Sequence, residues 1–207
     1  MIINWLHSEE LVEYSAAVAF MEEKIPQIAA GTYPETIWLL QHPSLYTAGT
    51  SAKAGDLLTP DFPVYHSGRG GQYTYHGPGQ LVAYVMINLK KHGLYPNSYV
   101  HLLEDWVIRT LALHGIKGEK RCDRIGVWVA DSRHPQQENK IAAIGIRVRK
   151  GITYHGVAVN ICPNLQHFTG IIPCGIREFG VTSLEKLGVN CTVQQFSKLM
   201  QEQWLDL

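Results

Sequence analysis

The sequence contains no CxxC pair, no phosphate-binding G-x-x-x-x-G-K-[ST] run and no long apolar stretch. Each absence removes a class of function. A transmembrane helix needs about 20 consecutive apolar residues, whereas the longest runs here, such as Leu81–Ile87, stop at seven. The cysteines are only four, at positions 122, 162, 174 and 191, too few and too scattered for a disulfide framework. Cys162, His167 and Cys174 form a C-x4-H-x6-C set that matches no common zinc pattern and lacks a fourth ligand. There is no excess of either charge: 18 Lys plus Arg balance 18 Asp plus Glu. A chain without a broad basic face is poorly suited to nucleic acid. The N-terminal run MIINWLHSEELVEY has early acids and no Lys or Arg before Lys24. It predicts neither a secretory signal nor a transit peptide, so the expected location is the cytoplasm.

What is present is an ordinary globular composition, 45% apolar and 17% charged over 207 residues. That is enough chain for one domain with a proper core. Ser8, Glu9 and Glu10 read as the cap and first turn of a helix running to about Ile28, stopped by Gly31. Glu35–Gln41 reads as a buried strand, His42–Pro63 mostly as loop, and Val64–His66 as a short strand. Ser67–Gly79, with five glycines and one proline, reads as a loop of special backbone geometry. Gln80–Asn88 is the strongest strand. A helix follows from Asn97 or Ser98 to His114, with Val100, Leu103, Val107 and Leu111 on one face. Gly126–Ala130, Lys140–Val148 and Thr153–Asn160 read as further strands, the last two joined by a tight turn at Lys150-Gly151. Thr192 starts a terminal amphipathic helix. The expected class is α+β (mixed α/β), with residues 1–207 as a single domain.

Two places carry chemistry. The run Arg69 to Gln80 packs Arg, Thr, His and Gln among glycines that let backbone approach a ligand closely. Its spacing is not that of a nucleotide loop, so no cofactor is expected. The other place is a lysine paired with a cysteine. Lys140 opens an apolar strand, where a lysine usually snorkels to water. Cys174 lies between Pro173 and Gly175, on a constrained turn with a backbone N–H available to an oxyanion. A free thiol titrates near pH ~8.5. A cationic lysine beside it favours the thiolate, and a neutral one would take its proton as general base. Cys162, before Pro163, is a candidate second thiol near the site, Cys122 is expected to end a strand, and Cys191 reads as structural.

Three segments together resemble the octanoyltransferases of lipoate biosynthesis: the Arg69–Gln80 run, Lys140–Gly145 followed by His155–Asn160, and the Gly170–Ile176 turn. The resemblance extends from about His42 to Leu184. It implies the fold of biotin and lipoate protein ligases, a mixed β-sheet flanked by helices, with residues 1–207 as a single catalytic domain. It implies that Cys174 accepts octanoate from octanoyl-acyl carrier protein as a thioester, with Lys140 lowering its pKa. The acyl group would then pass to a lysine of lipoyl domains, those of 2-oxoacid dehydrogenases and of the glycine-cleavage H protein. The family's substrate-contacting segments map onto Arg69, Gly70, Gly71, Gln72, Tyr73, Thr74, Tyr75 and His76, onto Ala143, Ile144 and Gly145, and onto Gly156, Val157 and Ala158. Ala143 stands where many members have serine, which removes one hydroxyl. Two rival readings are an ATP-dependent lipoate ligase, which would not need Cys174, and a non-catalytic module that binds lipoyl domains.

Overall fold

A computed structural model of the chain describes residues 3–131, 136–172 and 180–204. Its main sheet grows from the segment with the strongest apolar signal. β6 (Gln80–Met86) has all seven residues buried. Alternation divides them between two cores: Leu81, Ala83 and Val85 face one, while Val82, Tyr84 and Met86 face the other. A strand buried on both faces reads as an unbroken apolar run. β2 (Thr36–Gln41) and β9 (Ile152–Asn160) both pair antiparallel with β6. Beyond β2 lies β1 (Asn4–Leu11), parallel to it, and beyond β9 lies β8 (Glu138–Arg149), antiparallel. The first part of β8 also pairs with β7 (Val127–Ala130) and, in parallel, with the short β10 (Gly180–Val181).

Helices cover both faces. α1 (Tyr14–Ala29) sets Ala17, Met21, Ile25 and Ile28 against the Val82–Tyr84–Met86 side. α2 (Pro96–Ala112) and α3 (Val193–Glu202) cover the opposite face with Leu103, Trp106, Val107, Leu111, Phe196 and Met200. Each such side chain, fully buried, contributes roughly 1.5–3 kcal/mol. The Trp106 indole N–H donates to the Met200 carbonyl at 2.7 Å and ties the two helices together. Thr192 caps α3 as its sequence position predicts. Its hydroxyl accepts from the Gln195 N–H, and the Gln195 side chain accepts from the Thr192 N–H.

A second, smaller sheet frames the site. β3 (Leu45–Ala48) runs parallel to β4 (Val64–His66) and antiparallel to β5 (Tyr73–His76). Tyr46, Tyr75, Phe168 and Ile171 form its own core.

The mixed sheet and flanking helices match the expected class, and three local readings are corrected. The first helix begins at Tyr14, after Glu13, not at Ser8. Ser8 to Leu11 belong to β1, because Asn4–His7 pair with Thr36–Leu39 and Trp5 docks edge-on against Trp106 and Trp204. Two segments read as loop, at 45–48 and 73–76, are strands that pair with each other. The Lys150-Gly151 turn is as expected. Arg149 pairs with Ile152, and both turn residues have positive φ, 54° and 80°, the geometry whose twist suits a two-residue hairpin.

Candidate active site

β6, β9 and β8 bring three rows of residues into register. Gln80 faces Asn160, Val82 faces Ala158 and Tyr84 faces Gly156. On the other side of β9, Ala143 faces Ala158 and Gly145 faces Gly156. These residues form the floor of a cavity of about 450 Å³, within the size range of small-molecule sites. The floor is polar at one end (Gln80, Asn160 and the neighbouring Lys140), apolar in the middle (Val82, Ala158, Ala143) and aromatic at the other (Tyr84, with His155). Four strand steps separate the first row from the third, roughly 13 Å, long enough to hold an extended eight-carbon chain. Gly156 is required here: a Cβ would lie 2.2 Å from the Ala83 carbonyl oxygen. The neighbouring His155 has φ +59° and turns its N–H to the Met21 sulfur. A β9 held so bent stores of order 1–3 kcal/mol of strain.

The glycine loop walls the cavity. Gly70, Gly71, Gln72, Tyr73, Thr74 and His76 all line it. So do Lys140, Ala143, Ile144 and Gly145, and Gly156, Val157 and Ala158. Tyr75 is not among the lining residues; its hydroxyl bonds Ser44 and His167 within the small sheet's core. Cys174 lies outside the described residues. Arg69 lines the cavity but is buried, and its guanidinium is engaged by protein: Nη2 donates to the Thr47 carbonyl (2.9 Å), the Thr47 hydroxyl (2.7 Å) and the Gln72 carbonyl (2.9 Å), and Nη1 to the Gly70 carbonyl (2.9 Å). It holds the glycine loop closed onto β3. The Gly70 N–H donates to the Ile146 carbonyl at 3.0 Å and joins the same loop to β8.

Lys140 is only 7% exposed, so it does not snorkel to water. Its Nζ donates to the Ile125 carbonyl at 3.0 Å and sits 4.6 Å from the centre of the Trp128 ring. Arg124 lies over the same ring at 4.8 Å and joins Arg121 around Glu138. Cys162, expected near the site, lines a separate cleft with Cys191, and Cys122 is exposed in a turn rather than at a strand end.

The sequence reading missed Tyr14, Tyr84, His155 and Arg124, all of which line the cavity. Of these only His155 carried a local signal, its position beside Gly156. His42, also missed, bonds the Val12 carbonyl and the Tyr84 hydroxyl (2.6 and 2.7 Å). His76 bonds Gln80 at 2.7 Å. Burial pushes these histidines down, His42 to about 4 and His76 and His155 to about 3, with the Arg69 charge lowering the latter two further. They are therefore neutral at neutral pH.

A pH prediction follows with a definite sign. In the unfolded chain these histidines titrate near ~6.5. Between that pH and their folded values the unfolded state binds more protons, so stability falls as pH falls. Each adds a slope of up to about 1.4 kcal/mol per pH unit. Urea midpoints should be flat above about pH 7 and drop steadily from about 6.5 to 5. Glu35 and Glu138, whose carboxyls are held below their ordinary value of 4.5, act only at lower pH. His76→Gln should flatten the slope by about a third; an unchanged slope would show that His76 is not held neutral.

Comparison with known proteins places this geometry. The family model described as the lipoyl protein ligase A/B catalytic domain matches residues 13–205. An octanoyltransferase of Paramagnetospirillum magneticum is 56% identical over 192 residues, 92% of this chain and 90% of that protein. One from Bartonella quintana is 50% identical over 207 residues, covering 97% and 84%. Among solved structures, a lipoate-protein ligase A bound with ATP superposes with a TM-score of 0.76 at 14% identity, over 98% of this chain and 84% of that one. A biotin protein ligase from Aquifex aeolicus reaches 0.53 at 12% identity, over 98% and 67%. The chain belongs to the octanoyltransferases, acyltransferases of lipoate biosynthesis within the lipoyl protein ligase A/B catalytic domain family.

Proposed function

We propose that this protein takes an octanoyl group from octanoyl-acyl carrier protein as a thioester on Cys174. It then passes the group to the ε-amine of a lysine on a lipoyl domain, such as those of 2-oxoacid dehydrogenases or the glycine-cleavage H protein. The observation that carries the reading is the buried Lys140 at the polar end of a slot with an apolar floor. Gly180 and Val181, which follow Cys174 after five residues in sequence, pair with Asn139 and Lys140. The slot supports an acyl chain lying along β8 and β9, each buried methylene contributing roughly 0.8 kcal/mol. Residues 1–207 then act as one catalytic unit, in the cytoplasm; the free thiols at 122, 162 and 191 accord with a reducing compartment.

In the first half-reaction the Cys174 sulfur attacks the carrier thioester. A new C–S bond forms, the carrier C–S bond breaks, and the carrier thiol leaves with a proton. In the second the acceptor amine attacks the acyl-enzyme, a C–N bond forms, the acyl C–S bond to Cys174 breaks, and the proton the amine sheds ends on the released thiolate by way of Lys140. The substrate is already activated, so the step balances without ATP. The ligase A structure that carries ATP belongs to a relative of 14% identity and speaks for the fold alone.

The test mixes the protein with octanoyl-acyl carrier protein without ATP or acceptor, and reads intact mass and peptide map. A hydroxylamine-sensitive octanoyl adduct on Cys174 is the expected result. Acylation of a lipoyl domain only with free octanoate and ATP would replace this reading with a ligase. No acylation under either condition would leave a binding module.

A further inference from the structure

Glu104 is the most buried carboxylate in the described chain, 1% exposed on α2. Its Oε1 accepts from the Gly126 N–H at 3.0 Å. The Ile125 carbonyl, in the same peptide group as that N–H, accepts from Lys140 Nζ at 3.0 Å. One planar peptide therefore stands between the two side chains, its donor end on the carboxylate and its acceptor end on the lysine. Gly126 has φ +128°, and a Cβ there would lie 2.7 Å from the Ala142 carbonyl oxygen and 3.3 Å from Lys140 Nζ. That backbone is thus closed to other residues, and the peptide has little freedom to turn.

We propose that Glu104 is a positioning residue for Lys140, acting through the Ile125–Gly126 peptide to aim and polarise the carbonyl that holds the ammonium beside the reacting thiol. The proposal rests on the Lys140–Cys174 reading above. A carboxylate hydrogen-bonded to the N–H end of a peptide increases the partial negative charge at its carbonyl end, a cooperative effect of about 10–30% per bond. It acts in a buried setting where such bonds are strong. The carboxylate has a second partner, His101 Nδ1 at 2.8 Å, whose side chain is exposed on the same helix. Asp123 and Arg124 also line the cavity beside Ile125. Trp128 packs against Lys140 from β7. None of these replaces the acceptor for the Gly126 N–H that Glu104 supplies.

The experiment follows iodoacetamide labelling of Cys174 against pH, in full-length protein carrying Cys122→Ala, Cys162→Ala and Cys191→Ala, with melting temperature recorded for every variant. Lys140→Ala sets the scale by moving the labelling midpoint up. Glu104→Ala should move it up by about half a pH unit. Glu104→Gln, which keeps the shape and one acceptor oxygen but not the charge, should move it by about half as much and decides the matter if the alanine variant does not fold. The double variant Glu104→Ala/Lys140→Ala should match Lys140→Ala alone, because a relay has nothing left to act on. Glu104 curves that overlay the parent's while Lys140→Ala shifts overturn the positioning role, as does a double variant whose shift is the sum of the singles. A Lys140→Ala curve that itself does not move overturns the dyad, and this proposal with it.

Discussion

Cys174→Ser protein melts within a degree or two of its parent, forms no octanoyl adduct, and transfers octanoate at least about a thousandfold more slowly. The size of the effect comes from the nucleophile's ionisation. A thiol near pH ~8.5 is already a few per cent thiolate at neutral pH, and one cation beside it brings it into range. A serine hydroxyl lies too far above that for a fixed ammonium to ionise it, and thioester exchange is closed to it besides. In the proposed mechanism that cation is Lys140, which is buried and held at both Ile125 and Trp128. Intact mass after mixing with octanoyl-acyl carrier protein gives the adduct, and a lipoyl-domain acceptor assay gives the rate. Turnover near the parental rate in a well-folded Cys174→Ser protein would refute the nucleophile.

Arg69→Ala destabilises the protein by about 3 kcal/mol, the cost of several lost hydrogen bonds from a charged donor. The family resemblance mapped a substrate-contacting role onto Arg69, whose loss would weaken substrate handling. The structure assigns the guanidinium to the Thr47, Gly70 and Gln72 carbonyls and the Thr47 hydroxyl. Removing it takes a donor from carbonyls on β3 and the glycine loop together, of which Gln72 keeps the Gly49 N–H at 3.2 Å, and each lost hydrogen bond has its cost. For a chain of this length every kcal/mol lowers the melting temperature by about 2–4 °C, so a drop of roughly 10 °C is expected. Arg69→Lys should recover little, because a point charge cannot span acceptors that a planar fork reaches at once. A thermal melt decides it: an Arg69→Ala midpoint within about 2 °C of the parent would return this residue to a purely substrate-contacting role.

The elements legible in the sequence were those whose signal is local. β6 is an apolar run bounded by Gly79 and Asn88; α3 has its capping box at Thr192 and Gln195; the hairpin has its Lys150-Gly151 turn. β1 was misread because its Ser8-Glu9-Glu10 is a good helix start, and what makes it a strand is the free edge of β2 and the docking of Trp5 on two distant tryptophans. β3 and β5 were hidden among prolines and glycines because each is a strand only through the other.

The site divides the same way. The sequence by itself determined the chemistry available: a lysine at a strand start, a cysteine between proline and glycine, and a glycine-rich wall without a phosphate motif. Only the tertiary structure decided that Gln80, Asn160 and Lys140 share one end of a cavity, that Tyr14, Tyr84 and His155 line it too, that the Arg69 guanidinium in its wall is bonded to Thr47, Gly70 and Gln72, and that Glu104 reaches Lys140 through a single peptide. Residue type and turn propensity are properties of neighbours along the chain. Register, burial and the aim of a hydrogen bond come from segments tens of residues apart in sequence meeting at contact distance, and no local pattern along the chain reveals which ones meet.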